Sequence, residues 1–158
     1  MEDNMFKEMR RKEKQLAKVK ALEILKKGEY GVLATIGEND YPYALPMNYV
    51  FFNDKIYLHC AKEGHKIENI NYNNKVSFTV VGDYQLQPAE FTSNYESVVI
   101  FGRARPLSGE TKKKALQQFI LKYSPDFKQK GFDYIEKASE KTQIIEIEID
   151  DIKGKKNA

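Results

Sequence analysis

A succession of strand patterns separated by turn residues constrains the fold of this chain more than any other feature. Apolar and polar residues alternate in short runs, and Gly, Asn, Asp or Pro residues stand between the runs. Alternation with a period of two is typical of strands that bury one face, and the intervening residues favour tight turns. The predicted strands are residues 30–36, 43–52, 55–60, 75–81, 97–107 and 143–149, with weak strand character in residues 82–94. Gly102 is expected to mark a bend or bulge in the fifth strand.

Segments with helical spacing flank these strands. Residues 12–27 are predicted to form an amphipathic helix, because Ala21, Ile24 and Leu25 share one side and Gly28 follows as a C-terminal cap. Residues 111–123, after the candidate N-cap Ser108, and residues 132–140 predict two more helices. Five or six antiparallel strands with helices at the edges indicate a mainly β protein, a small β-barrel.

Length, charge and cysteine content narrow the class of protein. A chain of 158 residues is most simply one domain, with the polar residues 1–11 expected to be flexible. The net charge is only +3, and Lys and Arg cluster at the two ends, which argues against a nucleic-acid groove. Cys60 is the only cysteine, and no apolar run approaches the roughly 18 residues of a membrane span. We therefore expect a cytoplasmic protein with neither nucleic-acid nor membrane partners.

Residues 56–70 carry the strongest functional signal. A predicted strand ends at His59 and Cys60, residues 61–64 form a glycine-containing loop, and His65 and Lys66 open a segment with helical spacing. The unpaired N–H groups at a helix start attract anions, and Lys66 adds a full charge. This stretch predicts a phosphate-binding cradle.

Pro46, His59 and Cys60 each allow two interpretations. Pro46 interrupts a strand, so it marks either an edge strand or a place where the backbone of residues 45–49 is free to bind a planar heterocycle. His59 is either a core histidine or a functional group beside the cradle, and Cys60 is more typical of a small buried side chain than of a nucleophile. No zinc spacing occurs, so no metal is predicted, and the Rossmann, P-loop and α/β-hydrolase motifs are absent from the sequence.

Three segments together resemble a known family. They are ALPMNYVFFNDKIYLHCAKEGHKIENI (residues 44–70), NYESVVIFGRARPL (94–107) and EIEIDDIKGKKN (146–157). Their order is similar to that of the nitroimidazole-resistance branch of the pyridoxamine 5′-phosphate oxidase-like flavoproteins, over roughly residues 10–157. The resemblance implies a six-stranded antiparallel split β-barrel that forms a homodimer, with FMN in two equivalent clefts at the subunit interface.

The resemblance also implies which residues contact the cofactor. They are Leu45, Pro46, Met47, Asn48 and Tyr49 beside the isoalloxazine; His59, Cys60 and Ala61 beneath the ring and ribityl chain; His65 and Lys66 at the phosphate; Tyr95, Ser97 and Val98 near the flavin; and Lys155, next to Gly154, from the C-terminal segment. His59 occupies the position of the family's functional histidine, whereas Cys60 departs from the Ser or Thr that is common there.

The function implied is an FMN-dependent oxidoreductase. It would take electrons from NAD(P)H or another reductant and pass them to a small aromatic acceptor such as a nitro compound, with His59 as the catalytic proton donor or substrate contact. The alternatives are a flavin-binding sensor or reservoir without turnover and a pyridoxamine phosphate oxidase. Binding of a deazaflavin, or of haem with His59 as an iron ligand, is a further alternative.

Overall fold

In the computed structural model, which describes residues 5–158, strands dominate and helices flank them, as the sequence predicts. The elements are β1 (Gln15–Leu16), α1 (Lys18–Lys27), β2 (Gly31–Ile36), β3 (Pro42–Met47), β4 (Val50–Phe52), β5 (Lys55–Ala61), α2 (His65–Tyr72), β6 (Lys75–Gln87), β7 (Thr92–Leu107), α3 (Gly109–Tyr123), α4 (Lys128–Ala138) and β8 (Thr142–Asn157). The prediction of flexibility for residues 1–11 falls partly outside the described residues.

The strands form one antiparallel sheet in the order β3-β2-β6-β7-β8-β5-β4. Strand β8 pairs along its length with β7, and its other edge pairs first with β5 and then with β1. Strands β3 and β4 lie at opposite ends of this order, although only Asn48 and Tyr49 separate them in the chain. The sheet must therefore curl until its two ends nearly meet.

Several predicted boundaries differ from the structure, and at the strands the reason is that pairing between distant segments overrides local propensity. The described residues form eight strands, so the predicted number of six is not confirmed. The helix predicted from residue 12 begins at Lys18, because Gln15 and Leu16 pair with Lys155 and Gly154 of β8. Residues 82–94, predicted to have weak strand character, lie mostly in the β6–β7 hairpin, whose register shifts between Val81 and Tyr84, and β8 extends beyond residue 149 to Asn157. The helix predicted for residues 132–140 spans Lys128–Ala138.

Two apolar clusters cover the two faces of β5. Ile56 and Leu58 belong to the first cluster, which also includes Leu25 of α1. Tyr57 belongs to the second, with Phe119 of α3. Because side chains alternate along a strand, His59 lies on the side of the second cluster and Cys60 on the side of the first. This alternation separates the two reactive side chains at the end of β5.

An irregularity at Gly102 is confirmed, since the β7–β8 register shifts between Phe101 and Gly102, but the extra residue of the bulge is Asp150 on β8 and not a residue of β7. A Cβ atom at Gly102 would collide with the backbone oxygen of Glu148 and lie 2.8 Å from Cγ2 of Ile147. Gly102→Ala is therefore expected to lower the free energy of unfolding by about 1–3 kcal/mol, the usual cost of overpacking. Urea denaturation would measure this cost.

Gly82→Ala serves as the control for this substitution. There the nearest atom to an added Cβ is Cγ2 of the Ile24 side chain, at 3.2 Å, and a side chain can move more easily than a backbone oxygen. Equal stability of wild type and Gly102→Ala would show that the bulge does not depend on glycine.

Candidate functional site

The sheet opens into a gap where β3 and β5 diverge. Strand β4 pairs with β5 only through Lys55–Tyr57, and residues 58–61 of β5 pair only with β8. Residues 42–47 of β3 pair only with β2. The gap thus lies between two backbone edges without strand partners. Pro46 stands on one of these edges, so the prediction of an edge strand at this residue is confirmed.

Helix α2 begins at one end of this gap. Its N-cap, Gly64, has a backbone φ of +142°, which residues other than glycine rarely adopt. The ring of His65 stacks on Tyr43 of β3, with centroids 3.9 Å apart, so the helix start lies against the β3 side of the gap. Lys66 is half-buried, and its charge acts on both His59 and Cys60. The structure therefore brings His59, Cys60, His65 and Lys66 together.

His59 is exposed, so the structure does not support a core role. Its ring packs edge-to-face on Phe119 of α3, with centroids 4.6 Å apart. Desolvation of the imidazole by the surrounding protein, and then the charge of Lys66, lower the pKa of His59 below its ordinary value. The neutral imidazole is consequently favoured at pH 7, and this form accepts a proton or binds a metal more readily than it donates a proton.

Cys60 has the surroundings of a structural thiol. It is half-buried against the first apolar cluster, and burial raises the pKa of the thiol while Lys66 partly opposes that rise. A thiol that stays protonated is a poor nucleophile. Ala61, the last residue of β5, is exposed beside it.

The predicted ring-binding backbone is only partly free, because both backbone groups of Tyr49 already have hydrogen-bond partners within the chain. The Tyr49 N–H donates to the Tyr123 hydroxyl (3.1 Å), and the Tyr49 carbonyl accepts from Lys122 Nζ at 2.8 Å. The side chain of Tyr49 is buried, and its hydroxyl donates to the Leu25 carbonyl. Strand pairing does not reach the bend between β3 and β4, so α3 satisfies these groups instead. No sequence signal marked Lys122 and Tyr123, which stand at an ordinary helix end.

Elsewhere on β3 the side chains alternate. Leu45 and Met47 pack against the first apolar cluster, whereas Pro46 is exposed. Asn48, just beyond the strand, is also exposed and donates to the Glu29 carbonyl at 3.0 Å. A ligand in the gap could thus use the backbone edge of residues 45–47, but not the side chains of Leu45 and Met47.

The remaining predicted residues form a separate group. Ser97 and Lys155 are paired across β7 and β8, and Lys155 Nζ lies 5.5 Å from the centroid of the Tyr95 ring. Val98 is fully buried and offers no side chain to a ligand. Tyr95 also lines a cleft of about 610 Å³ at this end of the sheet.

Ser97 and Lys155 lie far from His59 along the direction of the strands. His59 and Leu107 both pair with Ile144, whereas Ser97 is ten residues from Leu107 along β7. Ten residues correspond to about 33 Å of strand at roughly 3.3 Å per residue. The structure therefore separates Tyr95, Ser97 and Lys155 from His59 of the same chain, whereas Pro46 on the other edge of the gap is in register with Val99, across β2 and β6.

Residues 5–158 contain neither a cluster of metal ligands nor a helix suited to cross a membrane. Within residues 5–158, no group of three or more His, Cys, Asp or Glu side chains is placed to hold a metal ion. None of the helices in the described part of the chain combines the length and apolar character that crossing a membrane requires.

Comparison with known proteins identifies relatives of this fold. Residues 18–156 match the sequence family described as pyridoxamine 5′-phosphate oxidase. No curated protein sequence matches the chain. Among solved structures, a Bacteroides thetaiotaomicron protein named for 5-nitroimidazole antibiotic resistance is 26% identical, with a TM-score of 0.77 over 89% of this chain and 85% of that one.

Two mycobacterial structures are similar in fold at lower identity. A conserved hypothetical protein from Mycobacterium tuberculosis is 16% identical, with a TM-score of 0.81 over 94% of this chain and 90% of that one. The FAD- and haem-binding protein from Mycobacterium smegmatis is 15% identical, with a TM-score of 0.76 over 91% and 73% of the respective chains.

Proposed function

Because this chain belongs to the pyridoxamine 5′-phosphate oxidase family, we propose that it binds FMN in the gap between β3 and β5 and acts as an FMN-dependent oxidoreductase. The observation that carries the proposal is the position of the α2 start, with His65 and Lys66, beside the unpaired backbone edge of β3. Similar folds include a protein that binds FAD and haem, which supports a flavin.

The residues at the gap fit the chemistry of FMN. A phosphate monoester would accept hydrogen bonds from the N–H groups at the start of α2 and from Lys66, while His65 stacks on Tyr43 at the same end. The backbone edge of residues 45–47 offers donors and acceptors to the polar edge of the isoalloxazine, and Asn48 stands next to it. His59, Cys60 and Ala61 would lie beneath the ring.

We also propose that the fold is a split β-barrel. Strands β3 and β4 are interpreted as two halves of one strand that bends at Asn48 and Tyr49. With this interpretation, and with the short β1 set aside, six strands surround the core. The gap between β3 and β5 is then the split of the barrel.

A homodimer would join the two groups of predicted residues. Since Ser97 and Lys155 lie far from His59 along the direction of the strands, a flavin that touches both groups needs one of them from a second copy. The sheet also presents two rows of small and apolar side chains across β2, β6 and β7, with Val32, Val99 and Phe101 between 37% and 42% exposed. The rows are Val32–Thr79–Val99 and Ala34–Ser77–Phe101. We propose that a second copy of the chain packs on this face.

Bound FMN would supply two-electron redox chemistry, and the protein would orient the reactants. His59 stands at the open end of β5, where a small aromatic acceptor such as a nitro compound could reach it. Because the pKa of His59 is lowered, we favour a role in which the neutral imidazole forms a hydrogen bond to the acceptor. A protonated imidazole that transfers its proton to the acceptor is the less favoured role. The name of the Bacteroides structure supports nitro compounds as acceptors, and a nicotinamide nucleotide is the proposed electron donor.

The visible absorption spectrum of the purified protein tests this function first. A yellow protein that releases FMN on heating, identified by mass, is the expected result. Reduction by NADH or NADPH and reoxidation by a nitroaromatic would then establish turnover, whereas bound FMN without turnover would indicate a sensor or reservoir. A colourless protein that does not bind added FMN would contradict the proposal, and a haem spectrum lost in His59→Ala would reassign His59 as an iron ligand.

A further inference from the structure

The bend between β3 and β4 is held by two side chains of α3. Residues 48–49, here called the corner, lie between a strand paired with β2 and a strand paired with β5, so no neighbouring strand satisfies the corner. The Tyr123 hydroxyl accepts the Tyr49 N–H at 3.1 Å and lies 2.5 Å from the Glu29 carbonyl and 2.9 Å from the Tyr49 carbonyl. A phenol has one proton, so it can donate to only one of these two carbonyls at a time.

Lys122 provides a donor for the carbonyl that the Tyr123 hydroxyl cannot serve. Its Nζ lies 2.8 Å from the Tyr49 carbonyl and 3.9 Å from the centroid of the Tyr49 ring. With Lys122 donating to the Tyr49 carbonyl, the Tyr123 proton is available to the Glu29 carbonyl. Asn48 Nδ2 donates to that same carbonyl at 3.0 Å, which ties the corner to the loop after α1.

Lys122 is also the titratable member of this network. Burial lowers its pKa to about 8, and Glu29 opposes that shift. The other titratable side chains that contact it are Tyr49 and Tyr123, whose ring centroids lie 3.9 and 5.1 Å from Nζ, and burial raises the pKa of both hydroxyls. Between pH 7 and pH 9 the group that changes charge in this network is therefore the ammonium of Lys122.

We propose that Lys122 and Tyr123 are positioning residues that hold the corner, and through it the edge of β3, in the shape required for flavin binding. This inference rests on the proposed function, because it assumes that the ring lies along residues 45–47. Neither side chain is assigned a contact with the flavin. Their effect reaches the ligand through the two backbone groups of Tyr49.

The test compares FMN dissociation constants for wild type, Lys122→Met and Tyr123→Phe at pH 7 and pH 9. Each variant loses hydrogen bonds to the corner backbone and is expected to bind FMN about five- to tenfold more weakly at pH 7. Lys114→Met and Tyr134→Phe are the controls, since both residues are exposed on α3 and α4, and they should match wild type. Circular dichroism melts would show that every variant is folded.

The pH dependence separates positioning from a general effect on stability. In wild type, FMN affinity should fall about threefold or more from pH 7 to pH 9 as Lys122 loses its charge, and Lys122→Met should abolish this change. The phosphate of FMN, with a second pKa of about 6, stays doubly charged throughout. Stability should change in the opposite direction, because a lysine with a lowered pKa in the folded state makes the protein more stable as pH rises above about 8.

The possible results are distinguishable. If wild type binds FMN and both variants bind it equally well with the same pH profile, the positioning role is wrong and the proposed function stands. If affinity and stability fall together in both variants without any change in the pH profile, the two residues serve stability only. If wild type does not bind FMN at either pH, the proposed function fails, and the positioning role fails with it.

Discussion

Replacing Lys66 with alanine is expected to weaken FMN binding about 10- to 150-fold. A charge-assisted hydrogen bond to a phosphate contributes about 1.5–3 kcal/mol, which corresponds to that range. Lys66 is the half-buried cation at the α2 start, and it is close enough to His59 and Cys60 to affect the pKa of both. Quenching of FMN fluorescence on titration with the flavin-free protein would measure the dissociation constant.

Riboflavin provides the decisive comparison because it lacks the phosphate. Lys66→Ala should bind riboflavin as wild type does, to within about twofold, if Lys66 acts only on the phosphate. Lys75→Ala removes an exposed positive charge three residues beyond the end of α2 and is the matched control for long-range electrostatics. Equal losses for FMN and riboflavin would place Lys66 elsewhere in the site, and an unchanged FMN affinity would remove it from the site.

Features set by local chemistry could be predicted from the sequence. The turn at Asn53 and Asp54 has both residues at positive φ, 52° and 59°, in a tight hairpin between β4 and β5. Gly102 marked the place where the β7–β8 register shifts, and the loop that ends at Gly64 led into a helix at His65. In each case the residue types nearby decide the backbone conformation.

Features set by distant contacts could not be predicted. Residues 12–16 contain good helix formers, yet Gln15 and Leu16 pair with β8. The alternation in β8 suggests that Glu146 faces solvent, whereas its side chain is almost fully buried, with the Tyr57 hydroxyl at 3.1 Å and Arg105 Nε at 3.0 Å. Periodicity identifies the face of a strand but not the element that covers that face.

The same limit applies to the candidate site. Resemblance supplied a set of residues in chain order, but their separation in space depends on the register of β5, β7 and β8. Only that register shows that Ser97 and His59 lie far apart along the direction of the strands. The contacts of Lys122 and Tyr123 with Tyr49 join residues more than 70 positions apart, and no local pattern indicates such contacts.

Mixing two inactive variants is expected to restore FMN binding if the site is shared between subunits. The first variant, His65→Ala/Lys66→Ala, loses the phosphate cradle. The second, Tyr95→Ala/Lys155→Glu, alters the group at the far end of β7 and β8. Each variant alone should bind FMN far more weakly than wild type, because each dimer would then carry the same damage in both sites.

The mixed dimer has a different composition. In a shared site, the cradle comes from one chain and the Tyr95–Lys155 group from the other. One site of the mixed dimer therefore carries both sets of substitutions, and the other carries neither. A dimer purified through two different affinity tags should bind about half as much FMN as wild type, with wild-type affinity.

A site contained in one chain gives a different result, because the Tyr95–Lys155 group, about 33 Å along the strand from the level of His59, would then not contact the flavin. In that case the Tyr95→Ala/Lys155→Glu variant alone would bind FMN as wild type does, and mixing would add nothing to the binding by that variant. Analytical ultracentrifugation of wild type would show whether the protein is a dimer, which the mixing experiment requires. A monomer that binds FMN with full affinity would overturn the shared site directly, while a dimer that shows complementation would assign each half of the cleft to a different subunit.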